Sequence, residues 1–198
     1  MKKLVTCCSI LAIAIPLLAH AADKPKAKAM DPKEMQEMMM KAAAPGPQHE
    51  RFKKMEGEWN ATVTSMMDPS QPPTTSQSSS TIKTLMGGRY CQEENTGDMM
   101  GMPFTGMGIT GYDNILKKYV GTWIDNMGTG IMNSEGTADA SGNVINWVYT
   151  GTDPMTGKVT KYRAVTRFTD DDHHSFEMYG KGPDGKEMKM MSIQYARK

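Results

Sequence analysis

The sequence predicts an all-β protein, a single antiparallel up-and-down β-barrel of about ten strands preceded by a short N-terminal helix. Three observations carry this. Apolar and aromatic residues alternate with polar ones at period 2 from Gly57 to the end of the chain, explicit turn signals separate the runs, and no long helical pattern lies between any two of them. The stretch from Met102 to Asp125 is the clearest case. Phe104, Gly106, Gly108, Thr110 and Tyr112 share one strand phase, and Tyr119, Gly121, Trp123 and Asp125 share the next. A short connection, Asp113 to Lys118, sets Tyr112 opposite Tyr119. The glycines on that face leave room beside the rings, as in a curved sheet or a wall facing a cavity.

The N-terminus reads as a secretory signal peptide over residues 1–21. Met1-Lys2-Lys3 is basic, Leu4 to Leu18 is apolar, and Ala19-His20-Ala21 is a small-x-small cleavage site. The expected destination is therefore the periplasm or the medium, with cleavage after Ala21. Cys7 and Cys8 precede most of the apolar run, so a lipid anchor is not expected. The full chain carries 23 basic and 22 acidic residues; without Lys2 and Lys3 the balance is 21 against 22. That near-neutral charge has no footprint for nucleic acid. Cys91 alone remains, so no intrachain disulfide can form and the core must hold the fold.

Residues 22–46 read as a flexible spacer and a methionine-rich helix. Ala22 to Ala29 is Lys, Ala and Pro. Asp31-Pro32-Lys33-Glu34 starts a helix with a cap, a first-turn proline and a third-position acid, and Met35, Met38, Met39 and Ala42 recur at helical spacing. Pro45-Gly46-Pro47 stops it, and a second helical stretch runs from Gln48 to Met55. The barrel domain spans 47–198. Its expected strands begin at Gly57 with Trp59, Ala61 and Val63 in phase, continue through Ser76–Met86, Arg89–Thr96 and the central pair, and then Thr129–Ala138, Asn143–Gly151, Lys158–Thr169, Ser175–Lys181 and Glu187–Arg197. Gly87-Gly88, Ser141-Gly142-Asn143, Asp153-Pro154-Met155-Thr156-Gly157 and Pro183-Asp184-Gly185 mark the turns. So many antiparallel strands close to remove their edges, and a barrel of that size either fills with side chains or holds one small ligand.

Two details favour a lipocalin-like or fatty-acid-binding-like barrel over a sandwich. A short helix leads into Gly57-x-Trp59, which resembles the G-x-W entry of lipocalins. Arg197 ends the last strand, where such barrels set an arginine against that tryptophan. A more specific likeness lies in a series of motifs in order: Pro47-x-His49, Gly57-x-Trp59, Gly87-Gly88-Arg89-Tyr90, Pro103-Phe104-x-Gly106-x-Gly108-x-x-Gly111-Tyr112-Asp113, Trp123-Ile124-Asp125, Asp153-Pro154-x-Thr156-Gly157-Lys158, Gly185-Lys186-Glu187 and Tyr195-x-Arg197-Lys198. Over residues 47–198 the chain resembles the bacterial domain-of-unknown-function family 1579. The resemblance implies one antiparallel barrel domain and no assigned catalytic residue. The methionine-rich helix lies outside it.

Motifs of catalytic or metal chemistry are weak. Gly106-Met107-Gly108-Ile109-Thr110-Gly111 fits the dinucleotide-binding string, but Tyr112-Asp113-Asn114 is a turn where that fold needs a helix. His173-His174 follows an acidic run, yet neighbours in a strand point to opposite faces, and the run lacks the features of a calcium loop. No G-x-S-x-G occurs, and Cys91 reads as a buried strand residue. The chain holds 21 methionines. Met35-x-x-Met38-Met39-Met40, Met99-Met100-x-Met102 and Met188-x-Met190-Met191 suggest thioether ligands for Cu(I), whereas methionine also serves as a core filler. Met188 and Met190 share a face that Met191 does not.

The remaining candidates are polar and aromatic residues on phases that suit a barrel interior: Arg89, Tyr112, Trp123, Asp125, Arg163, Glu177 and Tyr179. They read either as a ligand pocket or as a packed, hydrogen-bonded core. The expected function is non-enzymatic binding of a small, partly apolar ligand by an exported barrel without metal or cofactor. The alternative is a periplasmic copper-handling or stress protein.

Overall fold

The structure, a computed structural model, describes residues 30–99, 101–154 and 156–198. Residues 1–21, read as a signal peptide, Ala22–Ala29, read as a spacer, Met100 and Met155 lie outside the described residues. Two helices, α1 (Pro32–Ala43) and α2 (Pro47–Met55), precede ten strands: β1 (Gly57–Ser65), β2 (Thr74–Leu85), β3 (Tyr90–Met99), β4 (Met102–Asp113), β5 (Lys118–Asp125), β6 (Met132–Ala138), β7 (Val144–Thr152), β8 (Val159–Phe168), β9 (His173–Lys181) and β10 (Glu187–Arg197). Each strand pairs antiparallel with its sequence neighbours, and β1 pairs with β10, so the sheet closes and leaves no edge. The dinucleotide-like string lies wholly within β4.

The interior phases are the expected ones over the first half of the barrel. Trp59 and Ala61 on β1, Ser80 and Ile82 on β2, and Cys91 and Asn95 on β3 are buried. Tyr112 pairs with Tyr119 across β4–β5, their rings 5.0 Å apart and inclined at 70°. Trp123 lies flat over Gly106 and Gly108, and the Trp147 indole lies over Gly136 opposite it. The room beside the rings is therefore taken by the rings themselves. These glycines let a strand come up against an indole face.

Helix α2 plugs one end. Its Phe52 is buried against Tyr119, and the Met55 carbonyl accepts a hydrogen bond from Trp59 Nε1 at 2.9 Å. Trp59 pairs with Arg197, whose guanidinium stands 4.3 Å above the indole, the expected cation–π contact. Arg197 does more than stack. Its Nη atoms donate to the carbonyls of Lys54, Glu56 and Asp171, and its Nε donates to the Asp172 carboxylate. One side chain thus ties the end of α2 to the β8–β9 turn. Helix α1 has no buried residue; Arg89 and Asn114 hold its last carbonyls.

Candidate functional site

The barrel interior holds two chambers. The one beneath α2, about 110 Å³, is bounded by Phe52, Tyr119, Trp147 and His174. The other, about 240 Å³, opens at the opposite end beside the β3–β4 turn, between Phe104, Trp123, Asp125, Met132, Met178 and Met191. Glu93, Trp123, Tyr149, Phe176 and Tyr195 border both chambers and form the partition between them. A larger depression of about 800 Å³ lies outside the sheet, over β4 to β7. It is an open groove across residues such as Val120, Val148 and the Lys118–Glu135 ion pair. Among the described residues, the two chambers within the barrel are less open than this groove.

Glu93 is the polar centre of the partition. It follows Cys91 and precedes Asn95 on the inward phase of β3. Ser80 Oγ donates to its Oε1 at 2.8 Å, the Tyr195 hydroxyl donates to the same oxygen at 3.2 Å, and the Asn95 side chain bonds it as well. Surrounding protein raises the Glu93 carboxyl above its ordinary range, although the three hydrogen bonds oppose the rise. Ser78 Oγ, on the wall of the open chamber, is sealed from solvent and has no protein partner. A polar atom left so is a standing cost to the fold.

Behind the partition a row of rings leads back to α2. Tyr195 stacks on His174 with centroids 4.2 Å apart and planes 11° from parallel. His174 in turn meets Trp59 edge to face at 4.6 Å. Burial, with Arg197 nearby, holds the His174 imidazole down to about 4, so it is neutral at ordinary pH. Burial also pushes the Cys91 thiol up to about 12, which leaves no thiolate nucleophile there.

Of the residues expected to line the interior, Trp123 and Asp125 do so together. Trp123 Nε1 donates to Asp125 Oδ2 at 2.9 Å at the mouth of the open chamber. Tyr112 faces inward but belongs to the plug, against Tyr119 and His49. The other four are elsewhere. Arg89 lies at the β2–β3 turn, holding the Ala43 and Met86 carbonyls. Arg163, Glu177 and Tyr179 are on the outer face: Arg163 forks onto Glu187 at 2.7 and 3.0 Å and lies 3.8 Å above the Tyr179 ring, while Glu177 joins the Tyr179 hydroxyl and Lys189. The inward phase of β8 and β9 is instead Ala164 and Thr166, then His174, Phe176 and Met178.

A second correction concerns Met188 and Met191, expected on opposite faces and brought onto one. A register shift between Lys189 and Met191 sets Met191 opposite Met178, on the chamber wall. Met190 packs over Gly180. The methionines of α1 remain exposed. His173 and His174 part as expected, His173 turning out to Asp170 at 3.0 Å and His174 turning in. Among the described residues no three His, Cys, Asp or Glu side chains gather as a metal site, and no helix is long and apolar enough to cross a membrane.

Glu93 escaped the sequence reading because Gln92-Glu93-Glu94 is polar on both phases. The available signal was its phase with Cys91, already read as buried.

Comparison with solved structures finds the same architecture. Rv2717c from M. tuberculosis superposes with a TM-score of 0.59 at 14% identity, over 78% of this chain and 99% of that one. At this identity the likeness concerns the fold. A redesigned β-barrel matches with a TM-score of 0.40 at 15% identity, over 75% of this chain and 95% of that one. No curated protein matches the sequence. The family profile described as "Protein of unknown function (DUF1579)" matches residues 44–197, so the motifs from Gly57-x-Trp59 to Arg197 have their explanation: the chain belongs to that family.

Proposed function

We propose that this protein binds a small, partly apolar ligand inside the barrel, in the chamber that opens beside the β3–β4 turn. The observation that carries this reading is the chamber itself: about 240 Å³ of space walled by Phe104, Trp123, Phe176 and Met178, with Glu93, Asn95 and the unpartnered Ser78 Oγ at its polar side. Apolar walls with a few fixed polar groups are the usual form of a ligand site, and the volume, under the roughly 300–1,000 Å³ of sites for drug-sized molecules, limits the ligand to a small one. Catalysis is not part of the proposal. Cys91 stays a thiol, His174 is walled in by Trp59 and Tyr195, and neither meets a partner that would activate it.

Export belongs to the same proposal and rests on the basic, apolar and small-residue order of residues 1–21. Native mass spectrometry of the full chain, purified without denaturation, tests the binding. A retained small molecule released on unfolding supports the reading; a bare mass together with failure to bind a small apolar fluorescent dye overturns it.

A further inference from the structure

Charge is one-sided around the open chamber. Its wall carries three carboxylates, Glu93, Asp98 and Asp125, and no Lys, Arg or His side chain. Among the described residues none of the three forms a salt bridge. What they accept comes from neutral donors: Ser80, Tyr195 and Asn95 for Glu93, the Gly101 N–H for Asp98, and Trp123 Nε1 and the Met127 N–H for Asp125. Arg163 and Lys189 are engaged on the outer face, with Glu187 and Glu177, and Arg197 with Asp172 at the α2 end. Five aromatic rings, those of Phe104, Trp123, Tyr149, Phe176 and Tyr195, complete the wall. Asp98 is exposed and Asp125 half-buried, while Glu93 sits at the inner partition; ring faces attract cations, and a carboxylate drawn out of water is helped by one.

We propose that the ligand is a small organic cation, an aryl- or alkylammonium, whose charged head approaches Glu93 and whose apolar body lies against Trp123 and Phe104. This rests on the reading of the chamber as a binding site. An anion would meet three carboxylates, and a neutral molecule would supply none of the positive charge that the rest of the wall lacks.

The pairing has a proton balance. Burial raises the Glu93 carboxyl in the protein alone. Any proton that Glu93 carries in the free protein leaves to solvent as the ammonium arrives, its O–H bond breaking as the ammonium–carboxylate pair forms. Tyr195 on β10 and Tyr149 on β7 are raised, Cys91 on β3 is pushed up to about 12, and His174 on β9 is held down to about 4. Arg51 on α2 borders the other chamber and lies 4.2 Å above Phe168.

Calorimetric titration of the full chain with benzyltrimethylammonium, benzyl alcohol and benzoate tests the proposal. The cation should bind at least about tenfold more tightly than the alcohol, and benzoate more weakly than either. Because the probe's charge is permanent, a rise in its affinity as pH rises through the raised Glu93 value reports on the protein. Glu93→Gln keeps an acceptor for Ser80 and Tyr195 and should cut the cation's advantage to under about threefold while flattening the pH dependence. Asp125→Asn, at the mouth, provides a second reading if Glu93→Gln does not fold, and should also reduce that advantage. Equal affinities, a preference for benzoate, or an advantage untouched by the folded variants would overturn the cation and leave the binding barrel standing. Binding of none of the three probes would overturn both.

Discussion

Gly108 stands directly opposite Trp123 in the β4–β5 ladder, and a Cβ added to it would lie 2.9 Å from indole Cε3. Gly106 is tighter still against the same ring. The indole forms part of the chamber wall only because these two positions carry no side chain. Gly108→Ala must therefore push Trp123 into the chamber, at a cost of about 1–3 kcal/mol as for other overpacked sites. Gly130→Ala is the control, since no atom lies within 4 Å of the added carbon, and its effect should stay within about 0.5 kcal/mol. Denaturant unfolding followed by tryptophan fluorescence measures both.

Arg197 is expected to matter well beyond its cation–π contact. It donates to three backbone carbonyls and a carboxylate while covering Trp59, and its side chain is 26% exposed. Arg197→Met should cost about 2–4 kcal/mol, because it strands carbonyls of α2 and the β8–β9 turn. A loss under about 1 kcal/mol in urea unfolding would mean that ring stacking alone accounts for its role.

Opposite pH slopes are built into the core. His174, at about 4 in the folded protein against an ordinary 6.5, stays neutral while the unfolded chain takes up a proton. Its contribution is complete above about pH 6.5 and is lost as pH falls toward 4, amounting to about 3 kcal/mol. Glu93 acts the other way: with its folded value raised above 4.5, its contribution is present below that pH and is lost as pH rises through the folded value. His174→Phe, which keeps a ring against Tyr195, should flatten the acid side of a stability–pH profile. Glu93→Gln should flatten the other side. Unchanged slopes in both variants would show that neither group differs between the folded and unfolded chain.

The sequence announced the barrel more clearly than its contents. Alternation and turn residues marked ten strands, Tyr112–Tyr119 fixed the register of one hairpin, and Gly57-x-Trp59 with Arg197 foretold how the two ends of the chain meet. Strands β8 and β9 misled because both of their faces carry aromatic or apolar residues. Val165 is buried on the outward phase, beside Ala164 on the inward one, so polarity does not say where Arg163, Glu177 and Tyr179 point. The register shift in β10 between Lys189 and Met191 brings Met191 onto the same face as Met188, where strict alternation sets them apart. Glu93 was hidden by its polar neighbours, since a buried acid looks like a surface one until its partners Ser80 and Tyr195, 13 and 102 positions away, are brought to it.

The central claim, that the open chamber takes a ligand, is tested most directly by filling it. Met178 lines that chamber and pairs with Met191 across β9–β10. Met178→Trp should occupy the space with a folded protein around it, so an apolar fluorescent dye that binds the unaltered chain should bind the variant at least about tenfold more weakly. Equal dye affinity in a folded Met178→Trp, or no dye binding by the unaltered chain, would contradict the account and leave the barrel interior as a packed scaffold.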